Sequence, residues 1–237
     1  MTLVARRESL LRSLAEELAD LRGCRMEVIP ADLTLEESRS QIQERLEEMG
    51  LIVDILVNNA GVSTMGPVYK NDRAKELAMV RTDVEAVVDL CSIFVPGMVT
   101  RRRGAVLNTA STAAFQPLPG QTGYGASKAF VLSYSRALSA ELEGTGVTVT
   151  ALCPGPVETG FAEAAGASDE DAAASLPKSV WVSAPDVARA GIDAMDRGRQ
   201  VVIPGSVNRI LATAAILTPK GFVAKMVARR HPSLNNH

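Results

Sequence analysis

Ser111-Thr112-Ala113-Ala114-Phe115-Gln116-Pro117-Leu118-Pro119-Gly120-Gln121-Thr122-Gly123-Tyr124-Gly125-Ala126-Ser127-Lys128 follows the apolar run Gly104-Ala105-Val106-Leu107-Asn108 and leads into a helical pattern over 124–143. A buried strand, a connection rich in Pro and Gly and then a helix make one βα unit. Repetition of that unit makes a parallel sheet. Working outward, the same alternation recurs. Val53-Asp54-Ile55-Leu56-Val57, Val147-Thr148-Val149-Thr150-Ala151-Leu152 and Gln200-Val201-Val202-Ile203-Pro204 are further short runs bounded by Gly, Asn or Pro, and runs at 2–5 and 26–29 form a weaker first pair. Helices are predicted over 9–21, where Leu10, Leu14, Leu18 and Leu21 share a face, and over 35–49, 72–94 and 184–196, the last with Ser183 as its N-cap. The expected class is therefore α/β.

Within the opening stretch, Tyr124 and Lys128 are four residues apart, which on a helix puts both on one face, able to point at one pocket. A phenol with an ordinary pKa of about 10 is a poor acid or base at neutral pH, and a neighbouring ammonium favours the phenolate and brings that value down. Ser111, at the end of the preceding strand, has a hydroxyl that can hold a carbonyl oxygen. Cys153 beside Pro154 reads as a small core residue.

Composition excludes several classes. Hydrophobic residues make up 46% and charged residues 22%, the balance of a globular protein, and with aromatics at 4% the core must be built from Ala, Val, Leu and Ile. A net charge of −2 with no basic stripe gives no reason to expect nucleic-acid binding. Three widely spaced cysteines suggest neither a disulfide framework nor a metal site, which fits a reducing, cytoplasmic setting. His231 and His237, the only two histidines, lie in the tail, and no Gly-x-Ser-x-Gly elbow surrounds Ser111, so a serine hydrolase and a metal centre are both disfavoured.

Ser111 thirteen residues before Tyr124-x-x-x-Lys128, together with Asn58-Asn59-Ala60-Gly61 after a strand, resembles the signature pair of the short-chain dehydrogenase/reductase family, in its bacterial oxidoreductase and ketoacyl-reductase-like branch. Pro154-Gly155-Pro156-Val157-Glu158-Thr159 is similar to the family's cofactor-side loop, and Asp32-Leu33 to its adenine contact. The resemblance runs over about 2–205 and implies a Rossmann-like doubly wound parallel sheet, with 206–237 as a C-terminal extension. It implies that Tyr124 protonates a carbonyl oxygen, that Lys128 binds the nicotinamide ribose and tunes Tyr124, and that Ser111 orients the substrate. The cofactor side would include Asn59, Ala60, Gly61, Pro154, Gly155 and Thr159. Arg6 follows the first strand, where such folds handle the adenosine ribose. An arginine there suits a 2′-phosphate, so NADP(H) is favoured over NAD(H).

Two departures from the family pattern carry expectations of their own. No Thr-Gly-x-x-x-Gly-x-Gly loop is present, because the chain opens at what resembles the family's second strand. The sheet is therefore expected to be N-terminally incomplete, with a slot or altered pairing between the strand at 2–5 and the one at 53–57, and with part of the phosphate-binding surface missing. Asp83 stands where the family usually has Asn in a proton relay, and keeps an acceptor while losing the amide donor.

The expected activity is NADP(H)-dependent reduction of a ketone, conceivably a ketoacyl group, to an alcohol by a homo-oligomer acting on a small molecule. The alternative is a catalytically inactive relative serving as a binding or partner subunit. The segment 160–178, poor in bulky apolar residues, is expected to be a connection near the site, and the apolar and cationic tail to pack over the cleft or in a subunit interface in preference to lying on a membrane.

Overall fold

The computed structural model describes residues 1–157, 159, 161, 177–230 and 234, and most of the expected connection at 160–178 lies outside them. The elements alternate as the sequence suggests: β1 (Thr2–Ala5), α1 (Glu8–Arg22), β2 (Glu27–Pro30), α2 (Glu36–Glu48), β3 (Ile55–Asn58), α3 (Arg73–Val80), α4 (Ala86–Arg101), β4 (Gly104–Thr109), α5 (Thr122–Glu141), β5 (Val147–Leu152), α6 (Ala184–Asp196), β6 (Val201–Val202), α7 (Ser206–Leu217) and α8 (Lys220–Arg230). Every strand pairing is parallel, in a Rossmann-like α/β arrangement. β4 and β5 form the centre of a four-stranded sheet in the order β3-β4-β5-β6, and β1 and β2 form a separate pair.

The expected interruption falls between β1 and β3. No ladder joins them among the described residues, so each keeps one unpaired edge. Both sheets nevertheless pack on one core, in which Ile29 and Val4 meet a cluster containing Leu56, Val87, Val106, Val131 and Val149. Ala212 and Ala215 of α7 join the same cluster, so the extension docks on the core of the domain. Ile55 and Val57 of β3 are 55% and 52% exposed, unusual for a parallel strand, which is ordinarily covered on both faces.

The single helix expected over 72–94 is three segments. Asp72 caps α3 by accepting from the Ala74 N–H at 2.7 Å, a π-turn follows over Arg81–Glu85, and α4 then runs through Pro96 to Arg101. Proline removes one helical hydrogen bond. Burial of Val95 and Met98 against the sheet holds the helix together across that loss. Ser183 caps α6 as expected, accepting from the Asp186 N–H at 3.3 Å.

Candidate active site

Parallel pairing puts the carboxyl ends of all the strands on one side of their sheet, where crevices in such folds bind ligands. Asn59 to Gly61 leave β3 on that side, Ser111 leaves β4, and Pro154 and Gly155 leave β5. Arg6 and Asp32 leave β1 and β2 together, in the register Ala5 to Pro30. A buried amide chain ties these ends to α5. Asn58 Nδ2 donates to Asn108 Oδ1 at 2.8 Å, Asn108 Nδ2 donates to Ser135 Oγ at 2.9 Å, and Ser135 Oγ donates to the Val131 carbonyl at 2.7 Å. Sequence reading assigned nothing to Asn108 or Ser135. The available signal was an amide in an otherwise apolar strand, which must find partners when buried.

The i, i+4 spacing works as expected on α5. Lys128, 4% exposed, donates from Nζ to the Thr109 carbonyl at 3.1 Å, and Nζ lies 5.7 Å from the centroid of the Tyr124 ring. Asp83 is fully buried on the π-turn. Its Oδ1 accepts from the Val62 N–H at 2.8 Å, and its Oδ2 sits 3.1 Å from Lys128 Nζ, close enough for an ion pair although not aligned as a hydrogen bond. Burial raises the Asp83 pKa, opposed by Lys128 and by the Val62 N–H. A Cβ on Gly61 would come within 3.0 Å of Lys128 Nζ, so the small residue there lets the chain pass over the ammonium.

One electrostatic expectation is corrected. The Tyr124 pKa is pushed up to about 12 instead of down, first by burial and further by the Asp83 carboxylate, while a hydrogen bond with Ser111 pulls the other way. Burial of the phenol is the main reason, and the ammonium expected to favour a phenolate already faces a carboxylate. Ser111 is buried and accepts from the Ala113 N–H at 3.1 Å, capping a short 3₁₀ turn. Phe161 packs on Tyr124 with ring centroids 5.6 Å apart. Cys153 is fully buried, and burial pushes its thiol up to about 12, consistent with a core residue.

At the other end, Asp32 accepts from the Thr34 N–H at 3.0 Å and the Thr34 hydroxyl at 2.8 Å. The backbone hydrogen bond is the main reason its pKa lies below the usual value. Burial opposes it, and the Thr34 hydroxyl and nearby Arg6 add to the lowering. The Leu33 carbonyl accepts from Arg39 Nη1 at 2.8 Å, and Arg39, 2% exposed, also reaches Glu85 at 2.6 Å and Asp89. Sequence reading missed Arg39 too. Gly155 lies against the Asn208 amide, where a Cβ would meet Nδ2 at 2.4 Å, so this glycine lets the extension dock. Thr159 is exposed.

A nicotinamide dinucleotide fits this donor set at its two ends. Lys128 gives one N–H to the Thr109 carbonyl and lies against the Asp83 carboxylate, which leaves donor capacity for a ribose hydroxyl. Arg6 and Asp32 stand together where the adenosine end would lie. No Gly-x-x-x-Gly-x-Gly run is present for the pyrophosphate between them.

Residues 1–170 match the family model described as short chain dehydrogenase. The chain is 33% identical over 161 residues to mouse 17-beta-hydroxysteroid dehydrogenase type 3, an alignment covering 67% of this chain and 52% of that enzyme. It is 34% identical over 191 residues to sulfoacetaldehyde reductase 2 of Chromohalobacter salexigens, covering 79% and 75%. A short-chain dehydrogenase from Sphingobium yanoikuyae, solved in complex with NADPH, superposes with a TM-score of 0.79 at 31% identity, covering 90% of this chain and 82% of that one. The chain spans about half the length of the mouse relative, of its rat counterpart and of a short chain dehydrogenase from Pseudocercospora fijiensis.

Proposed function

The chain belongs to the short-chain dehydrogenase family, and from that premise we propose that it interconverts a carbonyl compound and its alcohol with a nicotinamide cofactor, NADP(H) in preference to NAD(H). The observation that carries this reading is the convergence of Ser111, Tyr124 and Lys128 at the end of β4 and the start of α5, with Lys128 held between Thr109 and Asp83.

In the reducing direction the Ser111 hydroxyl donates to the carbonyl oxygen and orients it, and the Tyr124 phenol gives that oxygen its proton. When bound, the cofactor supplies the hydride that the carbonyl carbon receives. Lys128 would hold the ribose through an N–H not given to Thr109, and Asn59, Ala60 and Gly61 would shape the wall beside it. The loop of Pro154, Gly155 and Thr159 would hold the nicotinamide end, while Asp32, Leu33 and Arg6 would hold the adenosine end. Arg6 supports NADP(H), because its guanidinium can fork onto a 2′-phosphate, although it shares that edge with the Asp32 carboxylate.

Small ketones and ketoacyl thioesters are the proposed substrates, and a cytoplasmic homo-oligomer the proposed form. A binding subunit without activity is the second reading, favoured by the unpaired edges of β1 and β3 among the described residues. Following NADPH and NADH consumption by the purified protein across ketones, aldehydes and 3-oxoacyl thioesters separates the two. Carbonyl-dependent consumption, faster with NADPH, supports the reductase, and cofactor binding without turnover supports the subunit.

A further inference from the structure

α7 is packed with its small residues inward. Asn208, Ala212 and Ala215 are its buried positions, whereas Ile210, Leu211, Ile216 and Leu217 are 69%, 53%, 51% and 81% exposed. At 100° per residue, Ile210 and Leu217 lie on the side opposite the core, with Ala214 between them. α8 continues the pattern. Val223 is buried, and Phe222 and Met226 are 64% and 42% exposed. The arrangement is held in place, because Lys220 at the junction donates from Nζ to the Phe115 carbonyl at 2.5 Å and to the Ala215 carbonyl at 3.2 Å. Contiguous apolar surface of this kind marks an interaction site.

Charge indicates what covers it. After Asp196 the sequence contains seven lysines and arginines and no acid, in a chain whose net charge is −2. Arg209 and Lys225 lie on the exposed helices themselves, and Arg136 of α5 borders a cavity of about 270 Å³ shared with Phe115, Leu132, Ile216 and Lys220, none of whose lining residues is acidic. No helix among the described residues is long and apolar enough to cross a membrane. An apolar outer face flanked by cations, on short helices, suits a position flat in the interface of an anionic bilayer.

We propose that α7 and α8 dock the protein on the surface of an anionic lipid bilayer, with Ile210, Leu217 and Phe222 entering the acyl boundary and Arg209 and Lys225 contacting lipid phosphates. The sequence suggested packing over the cleft or in a subunit interface; Ile210 and Leu217 turn away from the domain.

Flotation of the full chain with vesicles tests this. The protein should float with phosphatidylcholine vesicles that contain phosphatidylglycerol, remain behind with phosphatidylcholine alone, and be released by salt, which screens the headgroup attraction. Ile210→Asp combined with Leu217→Asp should cut the floating fraction about tenfold without moving the melting temperature, because both side chains project into solvent. Lys225→Glu should weaken binding less. A parent protein that stays behind with every vesicle overturns the proposal, as does flotation indifferent to the double substitution. If the parent does not float and the double substitution instead converts an oligomer to monomer in sedimentation, the face belongs to a second copy and the bilayer assignment is wrong.

Discussion

Asp83 Oδ2 lies 3.1 Å from Lys128 Nζ, and both side chains are buried, so the lysine beside Tyr124 faces a carboxylate. That carboxylate is one of the reasons the Tyr124 pKa stands at about 12. Carbonyl reduction uses the protonated phenol and is lost as pH rises through this pKa, whereas alcohol oxidation uses the phenolate and appears above it. Asp83→Asn removes a negative charge and supplies an amide donor. It should move the alkaline limb of kcat/KM for reduction to lower pH and raise turnover in both directions by roughly threefold to tenfold. pH profiles in the two directions check this, and an unmoved limb would contradict it.

Arg39 joins α2 to the π-turn through Glu85 and to α4 through Asp89, and holds the Leu33 carbonyl next to Asp32. Arg39→Met should lower unfolding stability by about 2–4 kcal/mol, less than for a fully enclosed network because Glu85 and Asp89 are 50% and 30% exposed. Urea unfolding measures it. Cofactor affinity should weaken as well, since the loop holding Asp32 loses its anchor.

Arg6 and Asp32 share the strand edge assigned to the adenosine ribose. Arg6→Ala should reduce the ratio of kcat/KM with NADPH to that with NADH about tenfold, because a charge-assisted contact to the phosphate disappears. An unchanged ratio would leave Arg6 as a solvated charge.

The unpaired edges of β1 and β3 make a prediction independent of catalysis. Amides of β3 that point away from β4 should exchange with solvent far faster than those of β4 and β5, each of which is paired on both sides. Hydrogen exchange read by NMR distinguishes them, and uniform protection across the three strands would show that another segment closes the gap.

The parts of the fold visible in the sequence were those with a local signal. β4 and β5 stood out as apolar runs and α6 by its Ser183 cap. β3 begins two residues later than its apolar run, since Asp54 turns outward to Arg103 at 3.2 Å. The π-turn at Arg81–Glu85 was hidden because five residues cannot separate its period from that of an α-helix, yet it is what carries Asp83 inward to Lys128. Arg39 carried no local signal, because its partners lie 46 and 50 residues away. Asn108 and Ser135 depend on a strand and a helix meeting, which no local pattern encodes.

Tyr124→Phe tests the central claim most directly. It removes one hydroxyl while leaving the ring in contact with Phe161 and near Lys128. With NADPH and a ketone that the parent protein reduces, kcat should fall roughly 10²–10⁴-fold, with cofactor affinity and melting temperature close to those of the parent. Turnover within about twofold of the parent would contradict the assignment of Tyr124 as proton donor and, with it, this reading of the site.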